Sequence, residues 1–513
     1  MGYISRVPVR RREAAETATQ RRVAVAGPSA GASSGAAVGV RDAPETPPLL
    51  RELADQAFSR AAGAPLIEGN RLRLLRDATE NYPAWLDAIA AARRYVCFES
   101  YIVHDDPIGH RFAEALIEKA REGVAVRLLY DWMGGLGKTS RRFWNRLREG
   151  GVEVRCYNPP RLESPLGWLS RDHRKMVSVD GEVGFVTGLC VGGKWAGDPA
   201  RGIEPWRDTG VEIRGPAVAA LERAFARMWA LAGDPLPPDA LAGTPPPPAG
   251  DVRLRIVASE PATAGMLRVD ELVAALARHR LWLADAYFAG TTSYVQALRA
   301  AARAGVDVRL LVPGSSDVPW VRPLSRAGYR PLLEGGVRVF EWNGPMMHAK
   351  TAVADGHWSR VGSTNLNVAS WFGNCELDAV VEDAAFGAEM ERMFLEDLGN
   401  ATEIVLERGY RMRPPAAPAR RRDTAGARGG SASRAAAGAV RVGHAIGASF
   451  MNQRVLGPVE AQLAIGAGLA LWALAALFAA FPRALAYPLV AVGAWAGVAL
   501  LYRGWRWWRE HGK

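Results

Sequence analysis

What most restricts the fold of this chain is that it repeats itself. Residues 115–129, ALIEKAREGVAVRLL, align without a gap on residues 297–311, ALRAAARAGVDVRLL. Each copy reads as the end of an amphipathic helix, a glycine cap (Gly123, Gly305) and a buried strand. Both halves continue into a Gly-Gly-Val-x-Val strand, at 150–154 and 335–339. A second matched segment follows, RDHRKMVSVDG (171–181) and MMHAKTAVADG (346–356). Alternating helix and strand predict an α/β fold with a mixed sheet in each half. The halves are expected to pack as two α/β/α lobes about a pseudo-two-fold axis, as the subunits of a symmetric dimer do. A site built from one segment of each lobe would lie on that axis.

Side chains two apart in a strand share a face, which puts His173 with Lys175 and His348 with Lys350. Burying an imidazole beside an ammonium gains nothing unless an anion meets them. Chance polar residues on a strand edge would not recur at the same spacing in matched repeats. Asp180-Gly181 and Asp355-Gly356 each separate two apolar strand segments, a two-residue hairpin signal. Both aspartates are expected at the site in a supporting role. After the second hairpin, Gly362 permits close backbone approach, while Ser363 and Asn365 offer a hydroxyl and an amide to phosphate oxygens. The matching stretch of the first half is TGLC (187–190), so Cys190 stands where an amide is expected.

Together with FESYIVHDD (98–106), LLYDWMG (128–134), WRDTGVEIRGPAV (206–218), LLVPGSSDVPWVR (310–322) and VGSTNLN (361–367), these segments resemble the phospholipase D superfamily. The signature is two copies of His-x-Lys-x4-Asp, followed by Gly-Ser-x-Asn or a variant. The resemblance spans roughly residues 70–410 and is nearest to bacterial cardiolipin synthases. It implies a two-lobed monomer, a phosphohistidine intermediate, no metal and no other cofactor. It makes His173 and His348 the catalytic pair, with Lys175, Lys350 and Asn365 as phosphate ligands. Asp180 and Asp355 complete the motif, and Asp208 and Glu376 are the acids expected to orient the two imidazoles. Displacement at phosphorus needs a nucleophile and a leaving group in line. Histidine suits both roles because its ordinary pKa of ~6.5 lies near working pH. His173 is the expected nucleophile.

The chain's 513 residues suffice for two or three domains. A net charge of +11 suggests a negatively charged partner, nucleic acid or an anionic membrane surface. Four scattered cysteines favour a reducing compartment, and no secretory signal is visible. The expected organisation is a disordered basic tail (1–48), a first lobe (49–233), a Pro-rich linker (234–250), a second lobe (251–411) and an Arg/Ala/Gly-rich linker (412–459). A transmembrane helical hairpin (460–503) and a basic aromatic tail (504–513) would follow. The run 461–481, apolar apart from Gln462, and the apolar run 484–501 are separated only by Pro482-Arg483. At ~1.5 Å per residue, each is long enough for a hydrocarbon core of ~30 Å. Arginines flank both outer ends, which places the catalytic body in the cytoplasm, on the inner membrane.

Three other features carry less. GGLGKTS (134–140) lacks the first glycine of a P-loop, because Trp132 stands there. His104, Asp105, Asp106 and His110 have a spacing that suits a solvated loop better than a metal site. Leu162, Leu166, Trp168 and Leu169 read equally as a core loop or a lipid-touching rim. The leading expectation is a membrane-anchored phosphatidyltransferase that moves a phosphatidyl group between two phosphatidylglycerols and releases glycerol. Its partners would be phosphatidylglycerol, other anionic phospholipids and the bilayer, with neither nucleic acid nor a protein partner inferred. The alternatives are a phospholipase D-type hydrolase or other phosphodiesterase, with a nuclease disfavoured by the anchor. A non-catalytic lipid-binding scaffold is suggested only by Cys190.

Overall fold

A computed structural model describes residues 4–8, 48–160, 170–315, 317 and 321–406, with scattered positions between 469 and 509. A short strand β1 (Ile4–Pro8) and a helix (Pro48–Ala62) come first. The first half supplies β2 (Ile67–Arg76), β3 (Tyr95–Ser100), β4 (Ala125–Asp131), β5 (Glu153–Tyr157), β6 (Arg171–Asp172), β7 (Lys175–Val179), β8 (Val183–Thr187) and β9 (Thr209–Arg214). The second supplies β10 (Val252–Ser259), β11 (Arg280–Ala284), β12 (Asp307–Pro313), β13 (Arg338–Trp342), β14 (Thr351–Ala354), β15 (Trp358–Gly362), β16 (Asn374–Glu382) and β17 (Ala401–Leu406).

The two halves share one strand order. In the first it is β2-β9-β8-β7-β3-β4-β5. In the second it is β10-β16-β15-β14-β11-β12-β13, extended by β17 and β1. Each sheet is mixed: β3, β4 and β5 are parallel, as are β11, β12 and β13, and the remaining pairs are antiparallel. Parallel neighbours need crossover connections. Helices Pro107–Arg121 and Arg141–Glu149 make them in the first half, and Thr292–Arg303 and Val321–Glu334 in the second. Asp106 and Thr291 cap the two leading helices by accepting the N–H groups of Gly109 and Tyr294. Gly123 (φ 90) and Gly305 (φ 97) end them in the left-handed region, as their positions after the repeat helices predict.

The halves join edge to edge. β2 runs antiparallel to β10, with Asn70 opposite Val252 and Ile67 opposite Leu254. β6 lies parallel to β16. One apolar core takes Met176, Val186 and Val211 from the first half and Met347, Leu377 and Phe394 from the second. Each such fully buried side chain contributes roughly 1.5–3 kcal/mol, so this shared core holds the two halves as one body.

Some expectations change. β1 falls within the tail expected to be disordered (1–48) and pairs antiparallel with β17, Ile4 opposite Leu406. The Pro-rich linker (234–250) forms no helix or strand, and its Leu236, Leu241 and Ala242 lie against the shared core. There the Ala242 N–H donates to the Tyr95 hydroxyl at 2.9 Å. Residues 412–459 lie outside the described residues, as do Leu162, Leu166, Trp168 and Leu169. Much of the expected hairpin (460–503) does as well. Residues 472–480 are helical, but among the described residues no helix is long and apolar enough to cross a membrane.

Candidate active site

β7 begins at Lys175 and β14 at Thr351, so the two histidines sit just before the strands rather than in them. The reason is that the other half claims their backbone. The His173 N–H donates to the Cys375 carbonyl at 2.9 Å, and the His348 N–H to the Arg207 carbonyl at 2.7 Å. Each acceptor directly precedes an acid that reaches the same ring. Glu376, on β16, lies 2.9 Å from His173 Nδ1. Asp208, just before β9, lies 2.6 Å from His348 Nδ1. Each imidazole is therefore held, main chain and side chain, by the opposite half. This is the reciprocal pattern of a two-fold contact.

A carboxylate at Nδ1 fixes the proton there and leaves the Nε2 lone pair free. Burial pushes His173 down to about 4, with the Lys175 charge adding to it and Glu376 opposing. Burial also pushes His348 well down, helped by Lys350 and Lys175. Both rings are thus neutral near pH 7, the form that can attack or accept a proton. Burial would raise Glu376, but His173, Lys175 and the Ser363 hydroxyl hold it below the usual carboxylate range. Asp208 is pushed up to about 6 by burial, against the pull of Lys350. Lys350 is pushed down to about 8 by burial, although Asp208 favours its charge. The Lys175 charge acts on His348 and Lys350, and His173 acts on His348, so the two segments form one electrostatic cluster. Each lysine donates to the carbonyl of its own histidine, and Lys350 Nζ also lies 3.0 Å from His348 Nδ1.

Not every expected residue faces that cluster. The Ser363 hydroxyl donates to Glu376 at 2.6 Å and accepts the Leu377 N–H at 2.9 Å. With its single proton committed, Ser363 orients the acid instead of donating to phosphate. Asn365 is buried, and its Oδ1 has no partner among the described residues. Asp180 accepts the N–H groups of Arg93, Arg94 and Tyr95, and Asp355 those of Arg278, His279 and Arg280, every one at 2.8 Å. Both aspartates have positive φ (56 and 50), as do Gly181 and Gly356 (74 and 72), the two-residue turn that the sequence predicts. They sit five residues beyond Lys175 and Lys350, roughly 16 Å away along an extended strand. They tie the hairpins to the starts of β3 and β11 and do not join the reacting groups. Cys190 is buried near both lysines, and its carbonyl accepts the Tyr82 hydroxyl at 2.6 Å.

Several site residues were not picked out from the sequence. Tyr101 stands edge-on to His173 at 5.1 Å, with Lys175 5.3 Å from its ring. Trp195, Trp206 and Tyr287 surround His348 at 5.7, 5.6 and 6.0 Å. Asp285 accepts the N–H groups of Leu366 and Tyr287, anchoring the turn that carries Asn365. The available signal was position: Tyr101 and Tyr287 follow the carboxyl ends of β3 and β11, the edge where α/β sheets present ligand-binding groups. His104 pairs with Asp106 and His110 with Asp105 as separate contacts. Among the described residues no group of three or more His, Cys, Asp or Glu is placed to hold a metal ion.

A family model described as cardiolipin synthase, PLD-like domain, matches residues 85–229 and 273–398. The chain is 36% identical over 365 residues to cardiolipin synthase A of Pseudomonas aeruginosa (strain LESB58), a match covering 69% of this chain and 72% of that relative. It is 35% identical over 362 residues to cardiolipin synthase A of Pseudomonas fluorescens (strain SBW25), covering 69% and 73%. Among solved structures, phosphatidylserine synthase of Haemophilus influenzae Rd KW20 aligns with a TM-score of 0.54 over 69% of this chain and 92% of that one. At 12% identity this likeness speaks for the fold alone.

Proposed function

The chain belongs to the phospholipase D-like family of the cardiolipin synthase type, and from that premise we propose that it joins two phosphatidylglycerols into cardiolipin and releases glycerol. The reading is supported above all by two neutral imidazoles, each oriented at Nδ1 by an acid of the opposite half. In the first step His173 Nε2 attacks the phosphorus of one phosphatidylglycerol. The bond from phosphorus to the glycerol oxygen breaks, and His348 delivers the proton that lets glycerol leave. His348 is neutral in the free protein, so it takes up this proton as the anionic phosphate enters and offsets the lysine charges. In the second step a hydroxyl of another phosphatidylglycerol gives its proton to His348 and attacks the phosphohistidine, forming cardiolipin and freeing His173. Lys175, Lys350 and the Asn365 amide stabilise charge on the non-bridging oxygens.

We further propose that the body acts at the cytoplasmic face of the inner membrane, anchored by the apolar runs 461–481 and 484–501. The test of the chemistry is incubation of the purified full chain with phosphatidylglycerol vesicles in the presence of a chelator. Cardiolipin and glycerol should appear in equal amounts. Phosphatidic acid with no diphosphatidyl product would replace the transferase by a hydrolase.

A further inference from the structure

One acidic pair beneath the site has no part in the chemistry above. Glu99, on β3, and Asp172, on β6, are both buried. Neither oxygen of Glu99, nor Oδ2 of Asp172, has a hydrogen-bond donor among the described residues. Each acid acts on the other, so the two buried carboxyls are neighbours. Two buried neighbouring carboxylates would repel and have nothing to donate, whereas one shared proton satisfies an oxygen on each.

The surroundings set how many charges the pair can hold. Arg174 and Lys175 are the cations whose fields reach both acids. Among the described residues, neither side chain donates to the orphaned oxygens of the pair. The Arg174 guanidinium donates to the carbonyls of Glu376, Ala224 and Ser259 at 3.1, 3.2 and 2.9 Å. The Lys175 ammonium donates to the His173 carbonyl. The nearby Asp131 is matched by Arg171 at 3.1 Å. Two cations favour one negative charge on the pair but offer no hydrogen bond that would satisfy a second.

We propose that Glu99 is a positioning residue of the reaction above: it remains a neutral carboxylic acid and, through the proton it shares with Asp172, fixes the main chain that carries His173. Asp172 has two other ties. Its N–H donates to Asp131 Oδ2 at 2.9 Å, and its Oδ1 accepts the Arg174 N–H at 3.2 Å. Glu99 supplies the third, so the residue before His173 is held on every side. The device belongs to one half only. In the matched registers Glu99 opposes Met176, whereas Ala284 opposes Thr351, and Met347 takes the place of Asp172. It therefore serves the His173 side of the site and not the His348 side.

The proposal rests on the transferase reading for its role but not for its proton. Infrared spectra of the full chain at about pH 9, where an ordinary carboxyl is ionised, should show the carbonyl band of a protonated acid. That band should vanish in Glu99→Gln and shift in Asp172→Asn. In turnover of phosphatidylglycerol, Glu99→Gln, whose amide still donates, should keep kcat within about threefold of the parent. Glu99→Ala should lose about tenfold or more, the scale of a small misplacement of a reacting group. Absence of the band, or folded Glu99→Gln as impaired as Glu99→Ala, would overturn the proposal. The infrared comparison needs no lipid and only folded parent and Glu99→Gln protein. A band without cardiolipin formation would strike the reaction alone, and cardiolipin formation without a band would strike the shared proton alone.

Discussion

At the Nδ1 edge of each imidazole a single acid decides which nitrogen carries the proton. Replacing Asp208 by Asn or Glu376 by Gln keeps the shape but removes the acceptor that selects the reactive tautomer. Each change should lower kcat by about 10²–10⁴-fold with KM little altered, read from initial rates on phosphatidylglycerol. An unchanged kcat would show that the acids only pack. Lys350 gives a second residue-scale expectation, because burial brings it down to about 8. It is a cation below that value and loses its charge above it, so kcat/KM should fall by one proton as pH rises through about 8. Lys350→Arg, charged throughout, should not show that alkaline fall, even if its rate is lower. The His-x-Lys spacing was legible because two residues suffice to state it. The acid partners have no local signal: Glu376 lies 203 residues from His173 and Asp208 lies 140 from His348, so only the family resemblance pointed to them. The Ser363 hydroxyl could serve a phosphate or an acid equally well, and only the folded geometry decides for Glu376.

The hairpins show what the third letter of the His-Lys-Asp motif does. Asp355 accepts three backbone N–H groups at the start of β11, and Asp355→Ala leaves them without that acceptor. The variant should lose roughly 1–3 kcal/mol of stability in urea melts while the folded fraction keeps its kcat. Burial would raise this carboxyl, but the three N–H groups hold it below the ordinary value. Its contribution is therefore present above the unfolded pKa of ~4 and disappears as pH falls through the lower folded value. Melts at pH 7 and about pH 3 should show the gap between parent and variant closing in acid. A gap that stays constant would mean the carboxylate is not the stabilising group. At this scale the sequence was informative: Asp-Gly turns, glycine caps and the repeated Gly-Gly-Val-x-Val strands mark elements that recur in the same order in both sheets. β6 and β1 were not legible. A two-residue strand has no periodicity, and the partner of β1 begins at Ala401, far along the chain.

The whole molecule is arranged so that neither half has a complete site. His173 depends on β16 and His348 on the residues before β9, which makes the seam between the halves part of the chemistry. Arg207 is the residue where seam and site meet. Its guanidinium reaches Asp397 of the second half at 2.8 Å and Asp77 of the first at 3.1 Å. Its carbonyl receives the N–H groups of His348 and Ala349, and its neighbour is Asp208. Removing one member of a buried ionic group leaves the others uncompensated, at a cost of about 3–5 kcal/mol. Arg207→Met should therefore lower the thermal midpoint and also depress kcat in the protein that remains folded, because Asp208 and the His348 main chain lose their common anchor. A second substitution, Asp208→Asn, should then cost less than it does in the parent, since the orientation it disrupts is already loosened. Full additivity of the two losses would mean that the seam and the imidazole are held independently, and the coupling between halves argued from these distances would fail.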